Sequence, residues 1–264
     1  MNGAVFAAHI GFNGGACARI NRKTMFNIKH PVRYVSSFIK KPTSYNSYNG
    51  VKLDFNSSIV TPWIRDAIYK GYYESDECNL LKSYLEATDI VLEIGAGIGL
   101  TSAIVASKAM YSTHIEANPN LIHLVTTNIS INTQNPCNHT VREAAVTAIE
   151  MGDSLVSLHS GDNFWNAALK EREIHKNAIN QKSVYIQNAL KERKFNFLIM
   201  DVEGYELEII TSNKFPVGIK KIMIELHPKV IGEEGLATCV SLLELQGYKT
   251  INKSGNSLYL TRGI

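Results

Sequence analysis

The run DIVLEIGAGIG, residues 89–99, leaves few folds open to this chain. An apolar stretch of strand length breaks into three glycines spaced two apart, and TSAIVASKA (101–109) resumes as a helix. Strand, glycine turn and helix in that order open a βαβ unit, and the alternation recurs downstream. STHIEANP (112–119) and NLIHLVTTNISIN (120–132) form the next strand and helix, and TVREAAV (140–146) a third strand. FNFLIMDVEG (195–204) with YELEIITSN (205–213), and IKKIMIELHP (219–228) with EGLATCVSLLELQGY (234–248), complete the pattern. Upstream, GVKLDF (50–55) reads as a short strand, and SDECNLLKSYLEA (75–87) as a helix behind a Ser75 cap. YKTIN and SLYLTR close the chain as a hairpin. The expected class is therefore α/β: a mostly parallel sheet with helices on both faces and a C-terminal antiparallel hairpin. MGDSLVSLHSGDNFW (151–165) alternates as a hairpin or extended excursion, and 166–194 is polar without a clear period, so an insert is assigned to about 150–194.

Ligands of open α/β sheets sit at the carboxyl ends of the strands. At the first of these ends stand Glu93, Gly95, Gly97 and Gly99. The glycines permit tight turning and close backbone approach. Their spacing is GxGxG, and Leu100 occupies the place that a dinucleotide fingerprint gives to Gly or Ala, so a pyrophosphate site is not matched. A carboxylate at Glu93 suits a cationic ligand group instead. Glu116, 17 residues past Gly99 at the end of the second strand, can accept the hydroxyls of a ribose. A phosphate-free nucleoside with a positive end describes S-adenosylmethionine.

A second group of acids crowds the tip of the fourth strand, in FLIMDVEGYELEII (197–210). Asp201 and Glu203 are two residues apart and share a side if the strand persists. Glu225 and His227 occupy the equivalent tip of the next strand. These four are the candidate catalytic residues. They could supply a general base, or, through Asp201 and Glu225, collect a divalent cation, which is the less favoured of the two readings. Glu206 and Glu208 are expected to be first-turn helix acids that favour the macrodipole.

Taken together, GYYESDECNLL (71–81), the loop, HIEANPN (114–120), NISIN (128–132), REAAV (142–146), DVEGYE (201–206) and IELHP (224–228) resemble the FkbM family of S-adenosylmethionine-dependent methyltransferases over roughly residues 50 to 250. The loop is GAGIG after Glu93 where the family usually has GANIG after an Asp. The resemblance implies a class I methyltransferase (Rossmann-like) fold and methyl transfer to oxygen, on a hydroxyl of a sugar, glycan or natural-product scaffold. It also implies cofactor contacts at Glu74, Glu93, Gly95, Gly97, Gly99, Glu116, Ala144 and Asp201. The alternatives are an NAD-dependent oxidoreductase, which Leu100 disfavours, and a non-catalytic binding module on the same fold. DVEG at the fourth strand differs from the [DN]PP[YF] of amino-directed nucleic-acid methyltransferases, which argues against nucleic acid as partner.

Charge divides the 264 residues unevenly. Eight of the 27 Lys+Arg precede Asp54 and none of the 24 acids does, so residues 1–49 form a basic arm and the remainder is mildly acidic. Such an arm reads as a surface-hugging leader, a transit-type segment, or a contact for an acidic surface or membrane face. The domain proper is assigned to 50–264. No stretch reaches the ~18 apolar residues of a membrane span. Cys17, Cys78, Cys137 and Cys239 are far apart with no CxxC pair, as expected of thiols in a reducing, cytoplasmic setting. A homo-oligomer is compatible with the composition.

Overall fold

The computed structural model describes residues 44–55, 57–152, 155–160, 167–169 and 178–263. Most of the basic arm and parts of the insert lie outside these residues. The described chain starts with a hairpin, β1 (Ser44–Tyr48) paired antiparallel with β2 (Val51–Asp54), so pairing begins inside the stretch assigned to the arm. Helix α1 (Pro62–Lys70), unforeseen in the sequence, is capped by the Thr61 hydroxyl, which accepts from the Ile64 amide, and has Pro at its first position. Helix α2 (Ser75–Tyr84) differs from expectation at its start: Glu74, not Ser75, is the cap residue, and it adopts a left-handed backbone with φ 45°.

Strand β3 (Ile90–Ile94) leads into α3 (Leu100–Lys108), β4 (Tyr111–Glu116) into α4 (Ile122–Ser130), and β5 (His139–Glu143) follows. The excursion contains β6 (Ala145–Thr147), β7 (Leu155–Ser160), β8 (Ala167–Leu169), β9 (Ala178–Tyr185) and α5 (Ile186–Lys191). Then come β10 (Phe197–Met200), α6 (Glu206–Ser212), β11 (Lys221–Glu225), α7 (Pro228–Leu245), β12 (Lys249–Ser254) and β13 (Ser257–Thr261). Helix α7 begins six residues before the expected Glu234, and its backbone breaks at Gly232 (φ 73°).

The main sheet runs β12-β13-β11-β10-β3-β4-β5. Its five strands from β11 to β5 are parallel, and the β12–β13 hairpin joins antiparallel through β13. This is the expected class I methyltransferase arrangement. Strand order reverses between β3, whose chain continues to β4 on one side, and β10 on the other, which opens a crevice at their carboxyl ends. A second sheet, β6-β9-β7-β8, is built by the excursion.

Alternation along the strands sorts the core into two layers. Leu92, Ile94, Leu198, Met200, Ile222 and Ile224 face α5, α6 and α7. Val91, Phe197, Ile199 and Met223 face α1 to α4 and the β1–β2 hairpin. Asn128, fully buried on α4, ties the hairpin to the glycine turn: its amide accepts from the Asp54 N–H at 2.7 Å and donates to the carbonyls of Asp54 (2.9 Å) and Ile98 (2.8 Å). Among the described residues no helix is long and apolar enough to cross a membrane. Removing all three bonds in Asn128→Ala leaves buried backbone groups unpaired and is expected to cost about 2–3 kcal/mol in urea denaturation.

Candidate active site

One cavity of about 640 Å³ lies along the carboxyl ends of β3, β4, β10 and β11, and its wall includes Gly95, Gly97, Glu116, Ala144, Asp201, Glu203, Glu225, His227 and Glu74. The glycine turn and the acid-bearing tip of β10 are thus walls of one space. They touch because β3 and β10 pair in parallel, Ile94 opposite Met200, and the Asp201 amide donates to the Ile94 carbonyl at 3.0 Å. At Gly95 (φ 84°) a β-carbon would lie 1.6 Å from the Asp201 carbonyl oxygen, so only glycine fits.

Glu116 sits at the end of β4 and is 7% exposed. One carboxylate oxygen accepts from the Gly97 amide (2.8 Å) and the other from the Asn118 amide (2.7 Å), which fixes the acid to the glycine turn. Burial, partly offset by these backbone donors, lifts its pKa to about 7. Each oxygen retains lone-pair capacity for a ligand hydroxyl.

The opposite wall is acidic and strained. Glu74 and Glu203 are two of three described non-glycine residues with positive φ, at 45° and 54°. Such conformations cost free energy and concentrate at functional sites. Burial lifts the Glu74 pKa to about 8, and burial with neighbouring acids raises the Tyr73 hydroxyl well above its ordinary value. Burial, then the charges of Glu225 and Glu203, hold Asp201 well above the usual carboxylate range. Glu225 rises to about 7, through burial first and the nearby Glu77 second.

His227 is the hub of this wall. Its Nε2 lies 3.3 Å from Glu203 and 3.6 Å from Asp201, and its Nδ1 is 3.0 Å from a Glu206 oxygen. Burial alone would lower the imidazole pKa, but the Glu206 hydrogen bond and the surrounding acids outweigh it and raise it.

Residues 93–249 match the Methyltransferase FkbM domain family. The chain belongs to the FkbM methyltransferase family. Membership favours methyl transfer over the dinucleotide alternative. Solved structures similar to this FkbM chain include the precorrin-6y C5,15-methyltransferase from Geobacter metallireducens GS-15, at 15% identity and a TM-score of 0.42, covering 71% of this chain and 86% of that one. P. horikoshii TYW2 in complex with MeSAdo is similar at 15% identity and a TM-score of 0.43, covering 83% and 70%. The Methanococcus jannaschii fibrillarin pre-rRNA processing protein is similar at 15% and 0.43, covering 67% of each chain. Curated proteins give no significant match.

Two of the residues named from the FkbM motifs stand elsewhere. Glu93 is fully buried and is not part of the cavity wall. It shares the parity of Val91, beneath α3, where one of its oxygens accepts from Ser102 and meets His114 Nδ1. Gly99 heads α3 and packs on α4, a β-carbon there falling 2.8 Å from Val125 Cα. Conversely, Glu206 was expected to be a helix-start acid beside Glu208. Glu208 is exposed, but Glu206 is fully buried, accepts from the Val202 amide (3.0 Å) and holds His227. Its place as first residue of α6, five after Asp201, was the available signal: an acid there can reach back to the loop that it follows. Trp63, Tyr72, Glu77 and Tyr205 also line the cavity.

Gly95→Ala would drive a side chain into the Asp201 carbonyl in a left-handed backbone. The expected loss is roughly 3 kcal/mol or more, on the order of 10 °C in Tm for a chain of this size. A variant that melts within a degree or two of the parent would contradict this close approach.

Proposed function

We propose that this chain is an S-adenosylmethionine-dependent O-methyltransferase acting on a hydroxyl of a sugar, glycan or natural-product scaffold. The observation that carries the reading is the single cavity, which joins a nucleoside-type end at the glycine turn and Glu116 to a proton-accepting end at Asp201, Glu203, Glu225 and His227.

The first end fits an adenosyl group on its own chemistry. Glu116 offers two anchored oxygens to hydroxyls, Ile115 and Ala144–Val146 supply an apolar wall, and Gly97 leaves the turn without a side chain. When bound, S-adenosylmethionine supplies an electrophilic methyl on a sulfonium. At the other end, the chain's own groups position the acceptor hydroxyl and take its proton. A bound S-adenosylmethionine would supply the methyl and leave as a neutral thioether, while a carboxylate of this wall would take the proton that the acceptor hydroxyl gives up. Glu203 suits the proton-accepting role: its left-handed backbone holds the carboxylate against the imidazole of His227. Positioning in a confined cavity supplies much of the rate, with the base adding to it. Asp201 lies between the two ends, its backbone on the glycine turn and its side chain in the acidic wall.

The acceptor end favours a neutral small molecule or glycan. Trp63 and Tyr72, exposed at the cavity wall, are the kind of faces on which rings stack. The free thiols of Cys78 and Cys239, both buried, fit a reducing, cytoplasmic setting.

S-adenosylhomocysteine is expected to bind in isothermal titration, with Glu116→Ala weakening it by about 100-fold or more, the loss of two hydrogen bonds to a charged acceptor. Because burial places Glu116 near 7 and ligand hydroxyls favour its ionised form, affinity should rise with pH through about 7 and level off by about 8. Glu116→Gln should flatten that rise. Absence of binding would defeat the reading. With an acceptor found by a mass-spectrometric screen for +CH₂ products, Glu203→Gln is expected to slow turnover on the order of 10²-fold or more at unchanged S-adenosylhomocysteine affinity. Equal rates would take Glu203 out of the chemistry, and no product from any acceptor would favour a binding module.

A further inference from the structure

The acidic wall crowds several carboxyl groups around a single imidazole. Asp201, Glu203, Glu206 and Glu225 all act on one imidazole, and Glu74 stands behind Asp201. Two details go beyond an acidic cluster. First, Glu206 is fully buried and takes the Nδ1 side of His227, which leaves Nε2, the other ring nitrogen, toward the cavity acids. Nε2 faces carboxylate oxygens of Glu203 and Asp201 at 3.3 and 3.6 Å, so this ring nitrogen and carboxylate oxygens border one space. Second, Asp201 Oδ1, the oxygen facing Nε2, is shielded from solvent and has no hydrogen-bond partner, and the buried Glu206 keeps its second oxygen unpartnered as well. A buried, unpartnered oxygen is costly unless something is bound to it.

We propose that Asp201, Glu225 and His227 form a binding site for one divalent transition-metal cation of the Mn²⁺ or Zn²⁺ type. One donor atom from each residue lies within 4.8 Å of the other two, so a cation with bonds of ~2.1 Å is reached by a small inward movement. Two carboxylates and one imidazole make a donor set between hard and soft, unlike the all-oxygen cages of Ca²⁺ or Mg²⁺. Glu206 then has the role of the carboxylate that orients a ligating histidine through its other nitrogen. Three protein donors leave further coordination positions open toward the cavity, where an acceptor oxygen can bind and become more acidic. Glu203, outside the donor set but beside His227, remains to take the proton. This last consequence rests on the methyl-transfer reading, whereas the cation site itself does not.

Full-length protein, stripped with chelator and without donor or acceptor, is titrated with Mn²⁺ and followed by electron paramagnetic resonance. One saturable Mn²⁺ per chain is expected, displaced by Zn²⁺ and accompanied by a rise in Tm. Glu225→Gln and His227→Gln should each weaken it at least tenfold, and Glu206→Gln by about 10- to 100-fold. Glu208→Gln, at an exposed position of α6, should leave it unchanged. If a site variant does not fold, the parent decides: no saturable Mn²⁺ at millimolar concentration, or no rise in Tm, overturns the site. Binding that survives Glu225→Gln and His227→Gln in folded protein overturns it equally. S-adenosylhomocysteine titration on the same stripped protein keeps the two readings apart: binding there with no Mn²⁺ uptake removes only the cation, and Mn²⁺ uptake without nucleoside binding removes only methyl transfer.

Discussion

Gly95 has no side chain because the carbonyl oxygen of Asp201 occupies the space where one would be. That contact joins the two halves of the cavity. The β3–β10 pairing fixes its register, and the Asp201 amide closes the last rung on Ile94. The glycine turn and Asp201 therefore cannot move independently. In a reaction that requires an in-line approach, such rigidity is worth more than any single hydrogen bond at the site.

Support for the turn comes from below as well as beside. Glu93, turned inward, joins Ser102 at the start of α3 to His114 on β4, and His114 continues through Ser112 to His139 on β5. A buried polar chain of this kind spans three adjacent strands and one helix under the glycine turn. Glu116 reaches the turn from above through Gly97. Asn128 holds it from the side through Ile98. The position of an otherwise unencumbered loop is thus over-determined, as a loop that must accept and release a ligand requires.

The sheet was legible in the sequence because β3, β10 and β11 are mostly apolar runs that end at a glycine or an acid, and because the strands alternate with helices. Asp201, Glu203, Glu225 and His227 were legible for the same reason: residues that end neighbouring parallel strands must meet at one edge. Glu93 stands next to the tip, where one position of alternation separates a cavity-wall residue from one beneath it. Glu206 stands in the first turn of α6 as expected, and only its burial was unsignalled, since an acid in a first helical turn is ordinarily solvated. Only the return of the chain over Asp201 buries it. Helix α1 lay hidden in a short stretch whose Thr-Pro start and apolar spacing at Ile64, Ala67 and Ile68 were the available signs. The cap of α2 at Glu74 depended on a left-handed backbone that the tertiary setting imposes.

The second sheet bears on how such a molecule can change over time. Strands β6 to β9 pair among themselves, and the main sheet runs from β5 to β10 without including them. Of these strands, β6 reaches the cavity wall, through Ala145 and Val146. Residues can be added or lost between β7 and β9 at small entropic cost, without shifting the β3–β10 register. Change there leaves the spacing of the glycine turn and Asp201, which the β3–β10 pairing sets, as it is.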